Sequence, residues 1–507
     1  MRRGLDSART TTHQRSLRQA ERFSVSDVTA RTARPAALTP DICVVGAGTR
    51  GIAIATAAAA FGVSVVLVER GETGGREGDL AIEALVQAGA RAQDIREAGR
   101  LGMTAEAPVI HPARLHDHIQ RALSVAAANH RAERLRALGI TLVHGEARFV
   151  SRSTLSAGEQ TIKARRFVLA TGSRPQATVP GGLDPAGLLT EDDLASITRL
   201  PERLIVLGSD GRAIAIAQAF RRLGSSAVLL AHGGLLPGWD AEAVMILRRR
   251  LLRESIELEE DRELLRAEAT RSGVRVVLAA NEGQATLEGN RLLVTGSRAP
   301  DIDGLDLDLA GIRQDAAGIV VDAGLRTANR RVCAVGSCAG GAAAGSGEQA
   351  GDGHVGIVLR NALFRKSGSV RPSACPRVVW SSPPIASVGT LGTPDEDRPG
   401  TLRFLRWPFA EVPGALAAGD GEGFVKLAVD RGGRVRGATI VGRGAPELIA
   451  PWCAAVAAGL KVQDMAELPV PALSLSEGSR RAASAFYLPM TTNPAVRRLI
   501  GFLRRFG

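Results

Sequence analysis

Aromatic side chains are scarce in this chain. Phe, Trp and Tyr together make 3% of its 507 residues, with a single tyrosine. Few rings are available to stack on bases, so a nucleic-acid role would have to rest on charge. The net charge of +12 suggests one until its distribution is read. Residues 1–40 hold eight Arg against three acids, residues 478–507 hold six Arg and no acid, and the body between them carries only +1. The basic charge sits in the tails, and no nucleic-acid partner is expected.

Cysteine is also sparse. Cys43, Cys333, Cys338, Cys375 and Cys453 are scattered, which argues against a disulfide scaffold or a zinc site and fits a reducing cytoplasm. Cys333 and Cys338 have the spacing of a redox pair. They fall on a strand and turn, however, and extended backbone would hold their Cα atoms beyond the ~7 Å that a disulfide allows. Long apolar runs are missing too. Residues 51–68 lack charge, but Phe61-Gly62 interrupts them, and they read as a buried helix followed by a buried strand rather than a membrane span. Residues 1–40 contain no apolar signal core and read as a disordered basic tail.

What the chain does contain is an internal repeat. Residues 41–70 (DICVVGAGTRGIAIATAAAAFGVSVVLVER) align without a gap on 203–232 (RLIVLGSDGRAIAIAQAFRRLGSSAVLLAH) at an offset of 162. Each reads as strand, glycine turn, helix, glycine, strand, the βαβ unit of a dinucleotide-binding domain. A second pair supports the first: FVLATGSR at 167–174 and LLVTGSR at 292–298 are apolar strands ending in Thr-Gly-Ser-Arg. Residues 79–97 and 113–137 read as helices, 141–168 as a small sheet and 317–336 as strand. From Pro372 onward, proline-broken strands and a helix at 446–460 indicate a separate α+β unit. The fold class is thus α/β: two Rossmann-like dinucleotide-binding domains plus a C-terminal α+β dimerisation domain. The expected boundaries are 41–200 and 300–371 for the first domain, 201–299 for the second and 372–490 for the third, with a basic amphipathic tail helix at 491–507.

The first glycine turn is a cofactor site in its own right. Gly46 permits the tight turn, Gly48 lets a pyrophosphate approach the backbone, and Gly51 lets the helix pack on the strand. Glu69 ends the next strand, placed to accept the hydroxyls of an adenosine ribose. The second turn keeps Gly208 but has Asp210 where a phosphate should approach, and Ala231 where the first unit has Glu69. Arg212 and His232 offer weak support for a 2′-phosphate. NAD(P) binding and a structural relic both remain open there.

Together these segments resemble the class I pyridine nucleotide–disulfide oxidoreductases, the group that includes mercuric reductase and dihydrolipoamide dehydrogenase. The resemblance runs over residues 41–486. It is carried by GAGTRG at 46–51, HGEARF at 144–149, ATGSRP at 170–175, LGSDGRAIAIAQAFRRLGS at 207–225, AVGSCAGG at 334–341, PRVVWSSPPIASVG at 376–389, GFVKLAV at 423–429 and SLSEGSRRAA at 474–483. It implies FAD on the first unit, possible NAD(P)H on the second, and a homodimer. It also implies that Gly46, Gly48, Gly51 and Glu69 contact the FAD pyrophosphate and ribose, with Ala147 beside the adenine. Thr171 and Gly172 would close over the flavin nucleotide. Gly336 and Ser337 match a Gly-Asp pair whose Asp holds the ribityl chain.

The departures from the family are catalytic. Its Cys-x4-Cys segment corresponds to Gly74–Glu83, which has no cysteine; Asp79 stands where the second Cys belongs and Glu83 where a Lys belongs. The family's C-terminal His falls on Ala472, with its Glu partner retained as Glu477, and a Glu near the nicotinamide falls on Ala215. No catalytic residue is therefore assigned. The expected function is an FAD-dependent oxidoreductase that uses its flavin directly, with NAD(P)H or a small donor and a small acceptor. The alternative is a non-catalytic FAD-binding pseudoenzyme acting as a dimeric scaffold. The tail helix has two readings, docking on its own dimer or peripheral contact with an acidic membrane surface.

Overall fold

The computed structural model describes residues 37–71, 78–176, 179, 188–260, 262–280, 283–296, 298–341, 351–390 and 402–506. Most of the expected basic tail and most of the loop before Gly78 lie outside them. The first sheet is parallel, with strands in the order Val332–Ala334, Arg166–Leu169, Ile42–Val45, Val65–Glu69, Ile140–His144. Its central strand, ICVV, is buried along its whole length, as expected where both faces of a parallel sheet are covered. The crossover helix Thr49–Ala60 turns Gly51, Ile52, Ile54, Ala55 and Ala58 inward. Small side chains on that face let the helix sit close to the strands.

The second sheet repeats the first. Its order is Glu257–Glu260, Ser226–Ala231, Arg203–Leu207, Arg291–Val294, Leu189–Thr190, again parallel. The duplication holds at the level of register. Ile42 pairs with Val65, and Leu204 pairs with Ala227, each shifted by the same 162 residues. The turn bonds match as well: Gly46 N–H donates to the Val68 carbonyl at 2.8 Å, and Gly208 N–H to that of Leu230 at 2.9 Å. The Thr-Gly-Ser-Arg copies diverge in use. Ser173–Pro175 and Arg298–Pro300 pair with each other as an antiparallel ribbon that ties the two units together.

The third sheet is antiparallel, in the order Arg377–Val379, Ile385–Gly389, Val435–Val441, Phe424–Asp430, Leu402–Pro408. Trp452 is buried beneath it, on the helix Ala450–Ala458. The fold is therefore α/β, with two Rossmann-like units and a C-terminal α+β unit.

Three local expectations change. The stretch 141–168 is not one small sheet: its ends, Ile140–His144 and Arg166–Leu169, join the large parallel sheet, and only the middle forms a three-stranded antiparallel one. The helix expected over 113–137 breaks after His130, where Arg131 is extended, into Pro112–Ala127 and Ala132–Ala137. Strand in 317–336 is limited to Gly318–Ile319 and Val332–Ala334. The helix Gly78–Glu97 shares its core with the second unit, not the first. Its Ala81, Ile82 and Leu85 cluster with Ile214, Ala217 and Phe220, and a Cβ on Gly89 would lie 3.2 Å from Ala219.

Candidate functional site

A cavity of about 870 Å³ opens at the carboxyl ends of the first sheet's strands, where an open α/β sheet holds its ligands. The expected residues converge on it. Gly46, Gly48, Glu69, Ala147, Thr171, Gly172, Gly336 and Ser337 all line its wall. Gly51 stands behind them: a Cβ there would sit 1.8 Å from the Gly46 carbonyl oxygen, so it sets the contact between helix and turn. Gly46 has φ +102°, a conformation that a side chain would strain. Gly48 is different. Its backbone is ordinary extended, and a Cβ would meet nothing within 4 Å, so what its missing side chain leaves open is the cavity itself.

The helix that starts at Thr49 has no side-chain cap and no acid in its first turn. Its first N–H groups therefore favour an anion. The hydroxyl oxygen of Thr171 is buried and finds no hydrogen-bond partner among the described residues. An open glycine cradle, an uncapped helix start and an orphaned hydroxyl on one wall fit a dinucleotide with a pyrophosphate. Glu69 is more constrained than its sequence position suggests. One carboxylate oxygen accepts the Ala47 N–H at 2.6 Å, and the other accepts Arg70 N–H at 2.8 Å and Gly71 N–H at 3.2 Å. It braces the turn as well as facing the cavity.

Several residues here carried no sequence signal. Arg50 lines the cavity and lies across Gly336, where a Cβ would come within 2.8 Å of its Nη1. Behind Gly336 is His354, 2% exposed, whose Nδ1 accepts the Gly336 N–H at 3.4 Å. That bond puts the ring hydrogen on Nε2, which is buried and finds no partner among the described residues. Burial and, secondarily, the Arg50 charge hold His354 below the usual imidazole range. The GAGTRG motif shows Arg50 by name, but its reach to Gly336 is a tertiary fact.

The second turn is built otherwise. Asp210 is the N-cap of Gly211–Arg222, and its Oδ1 accepts the Ala213 N–H at 2.9 Å and the Thr295 hydroxyl at 3.3 Å. The carboxylate does not point away; it takes the place at the helix start where a phosphate would go. Gly208 holds its turn beside Thr295, whose hydroxyl a Cβ would meet at 2.1 Å, and Gly208 does not line the cavity. Arg212, expected as a weak 2′-phosphate partner, is instead bonded to Asp79 at 2.8 Å and Glu191 at 3.0 Å.

Glu191 is buried and also accepts from the Gly296 N–H at 3.4 Å and from Arg298 at 3.4 Å. Burial raises its pKa against the opposing pull of Arg212 and Arg298. Asp79 and Arg298 both line the cavity, so this charge cluster joins the cavity to the second turn. In sequence, Glu191 was only one of three acids in a loop.

The positions that match the family's catalytic groups scatter. Asp79 borders the cavity, whereas Glu83 bonds to Gln87 on its own helix. Glu477 accepts the Leu473 N–H at 3.0 Å and pairs with Arg481, and Ala215 is buried in its helix. All five cysteines are free thiols. Cys43, Cys333 and Cys338 are buried in the first unit; burial pushes Cys333 up to about 11.

Comparison with known proteins decides the family. The profile described as pyridine nucleotide-disulphide oxidoreductase matches residues 40–355, and that of the family's dimerisation domain matches 375–483. The chain belongs to the pyridine nucleotide-disulphide oxidoreductases. It is 32% identical over 473 residues to a mercuric reductase of Acidithiobacillus ferrooxidans, covering 88% of this chain and 82% of that one. It is 30% identical over 441 residues to a dihydrolipoyl dehydrogenase of Geobacillus stearothermophilus, covering 85% and 92%. In fold it matches the crystal structure of LpdA from Mycobacterium tuberculosis, with TM-score 0.77, 23% identity and coverage of 89% and 99%. Membership makes the chain an FAD-dependent oxidoreductase of a pyridine-nucleotide-using family, and the dimerisation domain supports a homodimer. Among the described residues no helix is long and apolar enough to cross a membrane.

Proposed function

We propose that this protein is an FAD-dependent oxidoreductase that exchanges electrons directly between a small donor, NAD(P)H included, and a small acceptor, without a dithiol relay. In this reading Gly46, Gly48 and Gly51 admit the pyrophosphate, Glu69 and Ala147 hold the adenosine end, and Thr171, Gly172, Gly336 and Ser337 hold the flavin end. FAD, when bound there, supplies the redox chemistry. The chain's own residues bind it, orient it and close it off. The observation that carries the reading is Asp79. A carboxylate paired with Arg212 borders the cavity at the position where the family resemblance calls for a redox cysteine. A carboxylate neither exchanges with disulfides nor binds soft metal ions.

A second reading, a dimeric FAD-holding protein without turnover, is favoured by the second turn. There Asp210 caps the helix and Arg212 is held by Asp79 and Glu191. Anaerobic titration of the purified yellow protein with NADH and with NADPH separates the two. Loss of the flavin absorbance with either donor is the expected result. Absorbance unchanged by both would support the second reading instead.

A further inference from the structure

The helix Pro494–Leu503 and the turn after it separate their residues cleanly. On a helical projection Val496, Leu499, Ile500, Phe502, Leu503 and Phe506 fall within an arc of roughly 160°. Arg497, Arg498, Arg504 and Arg505 share the opposite arc with Gly501. Among the described residues nothing covers the apolar side: Phe502 is 54% exposed, Leu503 55% and Phe506 73%. The helix packs chiefly on the short helix Leu488–Thr492, which itself exposes Leu488 and Met490.

Charge indicates what covers this face. Residues 478–507 hold six Arg and not one acid. A two-fold contact between copies through the apolar arc would leave the arginines of both at its rim and back, with no acid in the segment to pair with them. A bilayer surface with anionic lipid meets both faces at once. Bulky apolar groups enter the acyl boundary, and guanidinium groups chelate phosphate oxygens above it. At ten residues the helix is far too short to span a bilayer.

We propose that this segment is an interfacial anchor that lies in the plane of an anionic membrane surface and holds the oxidoreductase there reversibly. The contact does not depend on how the flavin is used. A dimer would present two such helices and gain from their linkage.

The test is sedimentation of the full-length holoprotein with vesicles of phosphatidylcholine alone, or of equal parts phosphatidylcholine and phosphatidylglycerol. Binding is expected to the anionic vesicles, at least about 100-fold weaker to the neutral ones, and reduced by salt. Two variants are compared: Phe502→Ser with Leu503→Ser, and Arg497, Arg498, Arg504 and Arg505 all changed to Gln. Each is expected to lose roughly tenfold or more in partitioning, with dimer mass by light scattering and flavin content unchanged. Equal sedimentation with both vesicle types, or none with either, would overturn the proposal. So would a wild-type dimer that ignores vesicles and becomes monomeric in the Phe502/Leu503 variant, since the face would then belong to a second copy.

Discussion

Gly48 separates cofactor binding from folding at a single residue. Its φ of −73° and ψ of 176° suit any side chain, and a Cβ there meets no protein atom within 4 Å. Gly48→Val should therefore fold, at a capping cost of about 1 kcal/mol. It should lose FAD affinity by roughly 100-fold or more, because the new side chain stands where the pyrophosphate must approach. Flavin content and the thermal unfolding midpoint, measured side by side, check this. Gly51→Ala should lose stability together with flavin. Its Cβ would lie 1.8 Å from the Gly46 carbonyl, so the turn must open, at about 1–3 kcal/mol. If Gly48→Val keeps its flavin, the cradle has been misassigned.

His354 makes a second prediction at this scale. Burial and the neighbouring Arg50 depress its pKa in the folded state. The unfolded chain therefore binds more protons just below the ordinary imidazole value of about 6.5, and stability falls as pH drops through that window. His354→Asn retains an acceptor for the Gly336 N–H and removes the ionisation. Its urea midpoint should fall less between about pH 7.5 and pH 5 than that of the natural protein. An identical fall would show that His354 does not titrate on unfolding.

At the scale of elements, the second glycine turn is where sequence reasoning reached the right position and missed the geometry. Asp210 was legible as an obstacle to a phosphate; its role as the helix cap was not, because capping depends on backbone angles. Asp210→Gly should cost only a few tenths of a kcal/mol and raise NAD(P)H affinity roughly tenfold, by removing a negative charge from the helix start. Fluorescence titration with each nucleotide measures it, and unchanged affinity would mean the turn is not a nucleotide site.

Periodicity and repeat made the two βαβ units readable, since buried parallel strands are continuous apolar runs between glycines, and their common offset reappears in the observed register. The antiparallel strands Leu264–Thr270, Gly273–Ala279 and Gln284–Gly289 escaped because their apolar pattern is diluted by charge. The Thr-Gly-Ser-Arg copies looked equivalent, yet their pairing with each other is a long-range contact that no local pattern encodes. The cluster around Glu191 was hidden for the same reason. Its partners Arg212, Gly296 and Arg298 come from segments far apart in the chain.

For the whole molecule, the proposed absence of a dithiol relay is a statement about where all five thiols lie. Cys43 and Cys338 are fully buried, and burial pushes the Cys43 thiol far above its usual range. Cys338 points its sulfur at the carbonyls of Val335 and Leu169. Cys333 lies in a strand of the first sheet, with its pKa pushed up to about 11 by burial. Cys375 and Cys453 belong to the C-terminal unit, where burial holds Cys453 at about 11. None of the five lines the cavity. A thiol that does not reach the cavity cannot relay electrons from a flavin bound there to a disulfide or a soft metal ion. NADPH oxidation driven by lipoamide, glutathione disulfide or Hg²⁺ should therefore stay at the rate seen without substrate. A variant with all five cysteines changed to Ser should behave identically, with its flavin and dimer mass retained. The relatives named mercuric reductase and dihydrolipoyl dehydrogenase make this a demanding comparison, because the same assays would detect either activity. Turnover that disappears in the serine variant would place a working thiol at the flavin, and the direct-transfer proposal would then be withdrawn.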